Sequence, residues 1–130
     1  MPEPIFYVDR SDIREGRLEE VRAAMRDLAS FVEEREPRLL SYNFHTDPDG
    51  TGMTVVALHP DPASLEFHLD LGGPKFRAFG PLITLRAIDV YGDPGEAAVR
   101  RLHDKAALLG GGTVTVHTRQ AGFSRVQLVP

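Results

Sequence analysis

The chain has 130 residues, is 42% hydrophobic and 26% charged, and carries 15 basic against 19 acidic side chains, for a formal net charge of −4. A chain of this length buries about two-thirds of its unfolded surface, enough for one core without a disulfide or metal staple. The acidic balance argues against a protein whose affinity rests on neutralising many phosphates, and zero cysteine excludes disulfides, thiolate nucleophiles and cysteine-ligated metals. The first ten residues lack a basic start followed by an apolar stretch, and no apolar run approaches about 18 residues. Neither nucleic acid nor a membrane is therefore an expected partner, and the cytoplasm is the default location.

In chain order, residues 5–10 alternate as a first strand, with Phe6 and Val8 on one face and Ile5 and Tyr7 on the other. A helix is predicted over 16–36, where Leu18, Val21, Met25, Leu28 and Val32 fall at spacings of three and four. Asp12 with Glu15 offers a helix-entry signal, and Pro37 ends the element by excluding the helical conformation at Glu36. Segments 39–46 and 53–59 flank Asp47-Pro48-Asp49-Gly50 and read as an antiparallel hairpin. Asp61-Pro62 opens a second helix carrying Leu65, Phe67, His68 and Leu71, interrupted at Gly72-Gly73-Pro74 and followed by a short turn bearing Phe76 and Phe79. A fourth strand covers 84–91.

After Gly92, Asp93-Pro94-Gly95-Glu96 reads as an N-capped helix start, and Val99, Leu102, Ala106 and Leu109 form its stripe. Gly110 to Gly112 end it, and 113–118 and 123–129 read as a terminal hairpin. The order is the split βαββαβ arrangement of a ferredoxin-like α+β sheet over 1–92, with 93–130 as a helix and β-hairpin extension of the same domain.

Neither face of this sheet reads as a water face. Leu40, Tyr42 and Phe44 oppose Leu39, Ser41, Asn43 and His45, while Met53, Val55 and Ala57 oppose Thr54, Val56 and Leu58. Helices of a split unit cover one side, so the apolar far side predicts a homodimer, with the C-terminal extension lying across the partner or lengthening the sheet.

This arrangement, with Glu36-Pro37, Leu40, Tyr42, the Asp47 turn, the helix containing His68, and Phe76, resembles the antibiotic biosynthesis monooxygenase family of dimeric α/β barrels over about residues 4–92. The resemblance implies a cleft between sheet and helices, where a phenol loses a proton and its anion donates an electron to dioxygen without metal or flavin. It implies no cofactor and a small apolar or aromatic ligand. The cofactor-free oxygenases of the family tend to use a tryptophan, an asparagine, a tyrosine and an arginine for this task. This chain has no tryptophan and offers Asn43, Tyr42, Arg86 and His68 as equivalents, Asn43 and Arg86 being placed on the helix-facing side. On this reading His68, Asn43 and Arg86 are the catalytic candidates, and Tyr42, Phe67, Phe76 and Phe79 line the substrate. Haem degradation, a further family activity, requires an axial histidine where this chain reads Phe76-Arg77-Ala78-Phe79-Gly80.

The residues themselves leave plainer readings open. His68 next to a glycine break suits acid–base work or a helix-edge packing role, Arg86 either meets a carboxylate or faces a ligand anion, and Asn43 serves a ligand or a backbone group. No histidine pair has metal-ligand spacing, and Asp47 and Asp49 lack the closing glutamate of a calcium loop. A non-catalytic ligand-binding or interaction protein, and a lyase or isomerase with one acid–base residue, are the competing classes.

Overall fold

Ile5, Tyr7, Asp9 and Ser11 are buried while Phe6, Arg10 and Asp12 are exposed, so the first strand presents one face to a core and one outward. The structure is a computed structural model that describes residues 3–126. Its elements are β1 (Ile5–Ile13), α1 (Leu18–Arg35), β2 (Ser41–Thr46), β3 (Gly52–His59), α2 (Pro62–Phe76), a 3-10 turn (Arg77–Phe79), β4 (Ile83–Tyr91), α3 (Glu96–Leu108) and β5 (Thr113–His117). The sheet order is β2-β3-β1-β4-β5. β1 lies antiparallel to β3 and β4, β2 antiparallel to β3, and β5 parallel to β4. The first four strands with α1 and α2 make the expected ferredoxin-like unit. The β4–α3–β5 crossover extends it.

One core joins the inner sheet face to all three helices. Val21, Met25, Leu28 and Val32 come from α1, Leu65 and Leu69 from α2, and Ala98, Leu102 and Ala106 from α3. Full burial of a side chain such as Leu102 or Ile88 contributes about 1.5–3 kcal/mol.

Several local expectations are corrected. Asp12 does not start α1; it lies within β1 opposite Gly52, and Arg17 precedes the helix without a side-chain cap. α2 runs through Gly72-Gly73-Pro74 without a break. Gly72 is there for packing, since a Cβ on it would lie 2.6 Å from Phe76 Cζ, and the helix tightens into the 3-10 turn soon after Pro74 removes a donor. Asp93 bonds the Gly95 amide at 3.0 Å in the loop, and Gly95 holds the cap position before α3.

The terminal hairpin is also revised. Residues 113–117 join β4 in parallel through the α3 crossover, and residues 118–126 form no strand; the remainder of the expected return strand, 127–130, lies outside the described residues. Gly112, at φ +113°, makes that junction possible, because a Cβ there would sit 2.9 Å from the carbonyl oxygens of both Leu85 and Arg86.

Candidate functional site

The inner face of β1 turns polar halfway along. Asp9 and Ser11 follow Ile5 and Tyr7 on the same side and are both about as buried as the tyrosine. Across from them, α3 sends down Lys105, which lies three residues after Leu102 and four before Leu109 and therefore shares their buried stripe. Its Nζ donates to Tyr7 Oη at 2.8 Å and lies 3.4 Å from Asp9 Oδ2, while Tyr7 donates to Asp9 Oδ2 at 2.6 Å. The ammonium also sits 4.2 Å from the centroid of the Phe76 ring.

Burial shapes the protonation of this set. Desolvation, then the charge of Asp9, holds the Tyr7 phenol well above its ordinary value. Desolvation likewise pulls Lys105 below the ordinary lysine value, against the opposing attraction of Asp9. Tyr42 is raised by burial first and then by the charges of Asp9 and Glu36, so it stays a phenol donor.

A hollow of about 20 Å3, the size of a single solvent molecule, is bounded by Asp9, Ser11, Tyr42, Phe44, Phe76, Phe79 and Lys105. Ser11 Oγ is buried there without a hydrogen-bond partner among the described residues. Behind Tyr42 stands a second buried group. His68 Nδ1 meets Glu36 Oε2 at 2.7 Å, and the His68 ring lies 5.0 Å from that of Tyr42 and 5.4 Å from that of Phe76. Pro37 ends α1 where Glu36 can turn inward to this histidine. His59 completes the group, its ring 5.6 Å from that of His68 and its Nδ1 2.9 Å from Ser64 Oγ. Burial, reinforced by nearby His68, pushes His59 down to about 3, so it is a neutral imidazole.

The structure brings together Tyr42, Phe76 and Phe79 at the hollow, with His68 directly behind them. It separates the other candidates. Phe67 is 50% exposed on the far side of α2. Asn43 lies on the outer sheet face, bonded to Ser41 Oγ at 2.9 Å, and Arg86 is exposed beside Asp12 at 2.5 Å. The cause for Arg86 is a β-bulge: the β1–β4 register passes from Arg10↔Ala87 to Ser11↔Leu85, so Arg86 is the extra residue and strand alternation reverses there. Asp9, Ser11, Glu36, His59 and Lys105 are the site residues that sequence reasoning missed.

A larger hollow, about 590 Å3, lies outside the sheet between Phe6, Leu40, Tyr91 and the segment 117–126. Its ionic groups are already partnered, Arg119 with Glu3 at 2.5 Å and His117 with Asp89 at 2.9 Å. The inner hollow, where unpaired and titration-shifted groups converge, is the stronger candidate for chemistry. Among the described residues, no three His, Asp or Glu side chains are placed to hold a metal ion, and no helix is long and apolar enough to cross a membrane.

No protein-family model matches the chain, and no curated protein matches its sequence. Solved structures do. MupZ from Pseudomonas fluorescens superposes with a TM-score of 0.74 at 20% identity, over 98% of this chain and 99% of that one, and so includes α3 and β5. SnoaB from Streptomyces nogalater, a cofactor-independent oxygenase, has a TM-score of 0.60 at 18% identity over 70% of this chain and 93% of its own. A Bacteriodes thetaiotaomicron protein assigned as an antibiotic biosynthesis monooxygenase has a TM-score of 0.56 at 19% identity, over 65% and 84% of the two chains. With its β2-β3-β1-β4 sheet backed by α1 and α2, the chain has the fold of the antibiotic biosynthesis monooxygenases, carried on into a further helix and strand.

Proposed function

We propose that the chain is a small-molecule enzyme that begins its reaction by moving a proton, and that its substrate is an apolar aromatic or quinol-like molecule held between β1, β2 and α3. The observation that carries this reading is that buried Asp9 and Lys105, both hydrogen-bonded to Tyr7, open on the same hollow as Tyr42 and Ser11. Asp9 is placed to take a proton from a phenol or an activated CH2, and Lys105 and Tyr42 to hold the anion that forms. Phe44, Phe76 and Phe79 keep the anion dry. A hollow of this size admits such a molecule only if the Phe76 and Phe79 rings swing aside.

The likeness to SnoaB makes cofactor-independent oxygenation the first chemistry to test. With anthrone as probe, the CH2 between two aryl rings becomes C=O while dioxygen gives one atom to the product and one to water. Oxygen uptake is expected from the unaltered chain and should fall at least about 100-fold in Asp9→Asn, the usual worth of a positioned base. Equal uptake by that variant would remove Asp9 from the reaction.

A non-catalytic reading is favoured by one observation, the much larger outer hollow. It predicts a melting-temperature rise with anthrone that survives Asp9→Asn, disappears in Tyr91→Ala and comes without oxygen uptake.

The partner in the proposal is a second copy of the chain. Phe6 and Tyr91 are each 42% exposed on the outer sheet face, and Phe123 beside them is 74% exposed, an apolar surface that pairing of two sheets would cover. Sedimentation at micromolar concentration should give the dimer mass, and a single-copy mass would overturn the pairing.

A further inference from the structure

Lys105 has the surroundings of a nucleophile as well as those of a counter-ion. Its side chain is only 10% exposed, and it stands between a phenol, Tyr7 Oη at 2.8 Å, and a carboxylate, Asp9 Oδ2 at 3.4 Å. It borders the hollow with Ser11, whose buried hydroxyl has no hydrogen-bond partner among the described residues. A dry amine flanked by a proton acceptor and a proton donor, facing space with a spare hydroxyl, is equipped to add to a carbonyl carbon. We propose that Lys105 captures a small aldehyde or ketone as a Schiff base at this hollow once the Phe76 and Phe79 rings that bound it swing aside to admit the carbonyl. The inference rests on the hollow being the substrate chamber and adds the chemical class of its occupant.

The step balances within the chamber. Lys105 gives one proton to Asp9, and the neutral amine adds to the carbonyl carbon, forming the C–N bond as the C=O pair moves to oxygen. Tyr7 relays a proton from nitrogen to that oxygen, with Ser11 donating a hydrogen bond to it. Asp9 returns its proton as the C–O bond breaks, water leaves, and a protonated imine remains beside the Asp9 carboxylate. Burial favours the start of this sequence by pulling Lys105 below the ordinary lysine value. The charged and titratable groups around it are Asp9 and Tyr7 on β1, Tyr42 on β2 and His59 on β3.

The sequence supplies an internal control, because the only other lysine is Lys75, which pairs with Asp27 at 2.9 Å on the surface. The full chain is incubated with acetaldehyde, and separately with benzaldehyde, in the presence of cyanoborohydride near neutral pH, then digested and mapped by mass spectrometry. Lys105 should be alkylated at least about tenfold faster than Lys75 by one aldehyde or both, because it borders the hollow between an acceptor and a donor while Lys75 is tied to a surface carboxylate. The adduct should vanish in Lys105→Arg and persist in Lys75→Arg. Modification of Lys75 as fast as or faster than Lys105 with both aldehydes overturns the proposal. If that happens while Asp9-dependent oxygen uptake continues, only the imine is lost; if uptake is absent as well, the chamber itself is refuted.

Discussion

Asp9→Leu should destabilise the chain by about 3–5 kcal/mol in urea unfolding, because it leaves the Lys105 ammonium buried without a counter-charge. Asp9 is 3% exposed and Lys105 10%, so neither can recover its lost partner from water in place. The Tyr7 hydroxyl loses its acceptor in the same substitution. The informative comparison is with Asp9→Leu combined with Lys105→Met, which removes both charges and should restore most of the loss, since a buried ion pair is worth little beyond an apolar pair of similar volume. A loss below about 1 kcal/mol in the single variant would mean that Lys105 is neutral or reaches solvent, and the coupling across β1 and α3 would be gone.

The second large effect is on pH dependence. His59 is fully buried, and its imidazole is pushed from 6.5 to about 3 in the folded chain. Between those values the unfolded chain binds a proton that the folded chain refuses, so stability must rise with pH. The contribution is whole above pH 6.5 and drains away as acid is added, at about 1.4 kcal/mol per unit, for a total of about 4–5 kcal/mol by pH 3. Asp61, which Arg38 and the Ser64 amide hold below its ordinary 3.8, acts only at the acid end. Urea unfolding at successive pH values from 6.5 to 4.5 therefore isolates the histidine. His59→Leu should flatten that slope; an unchanged slope would show that another group carries it.

Much of the architecture was legible because its signals are local and redundant. The α1 stripe ends at a proline, the Asp47 turn joins two alternating segments, and Asp61-Pro62 caps α2 through the Ser64 amide at 3.0 Å. The site was less legible because its decisive features are not local. Arg86 shares the parity of Ile88 and Val90, which face inward, and only the bulge between them turns it out. With neither side of β2 reading as a water face, alternation alone does not tell which side holds Asn43; the structure packs Tyr42 and Phe44 toward His68 and Phe79 and so turns Asn43 outward. β1 was expected to stop at Arg10, which hid Ser11 and made Asp9 a strand-end residue. Lys105 was visible as a lone lysine at helical spacing from Leu102 and Leu109, but its partner lies on an element at the opposite end of the chain.

That separation, 96 positions between Asp9 and Lys105, has a kinetic consequence during translation. A ribosome adding about 5–20 residues per second emits the carboxylate about 5–20 seconds before the amine. Until then the central strand cannot be dried without stranding a negative charge, so the nascent sheet must keep its middle wet. Growing chains halted before α3 should accordingly stay protease-sensitive, even with the first four strands and two helices already synthesised.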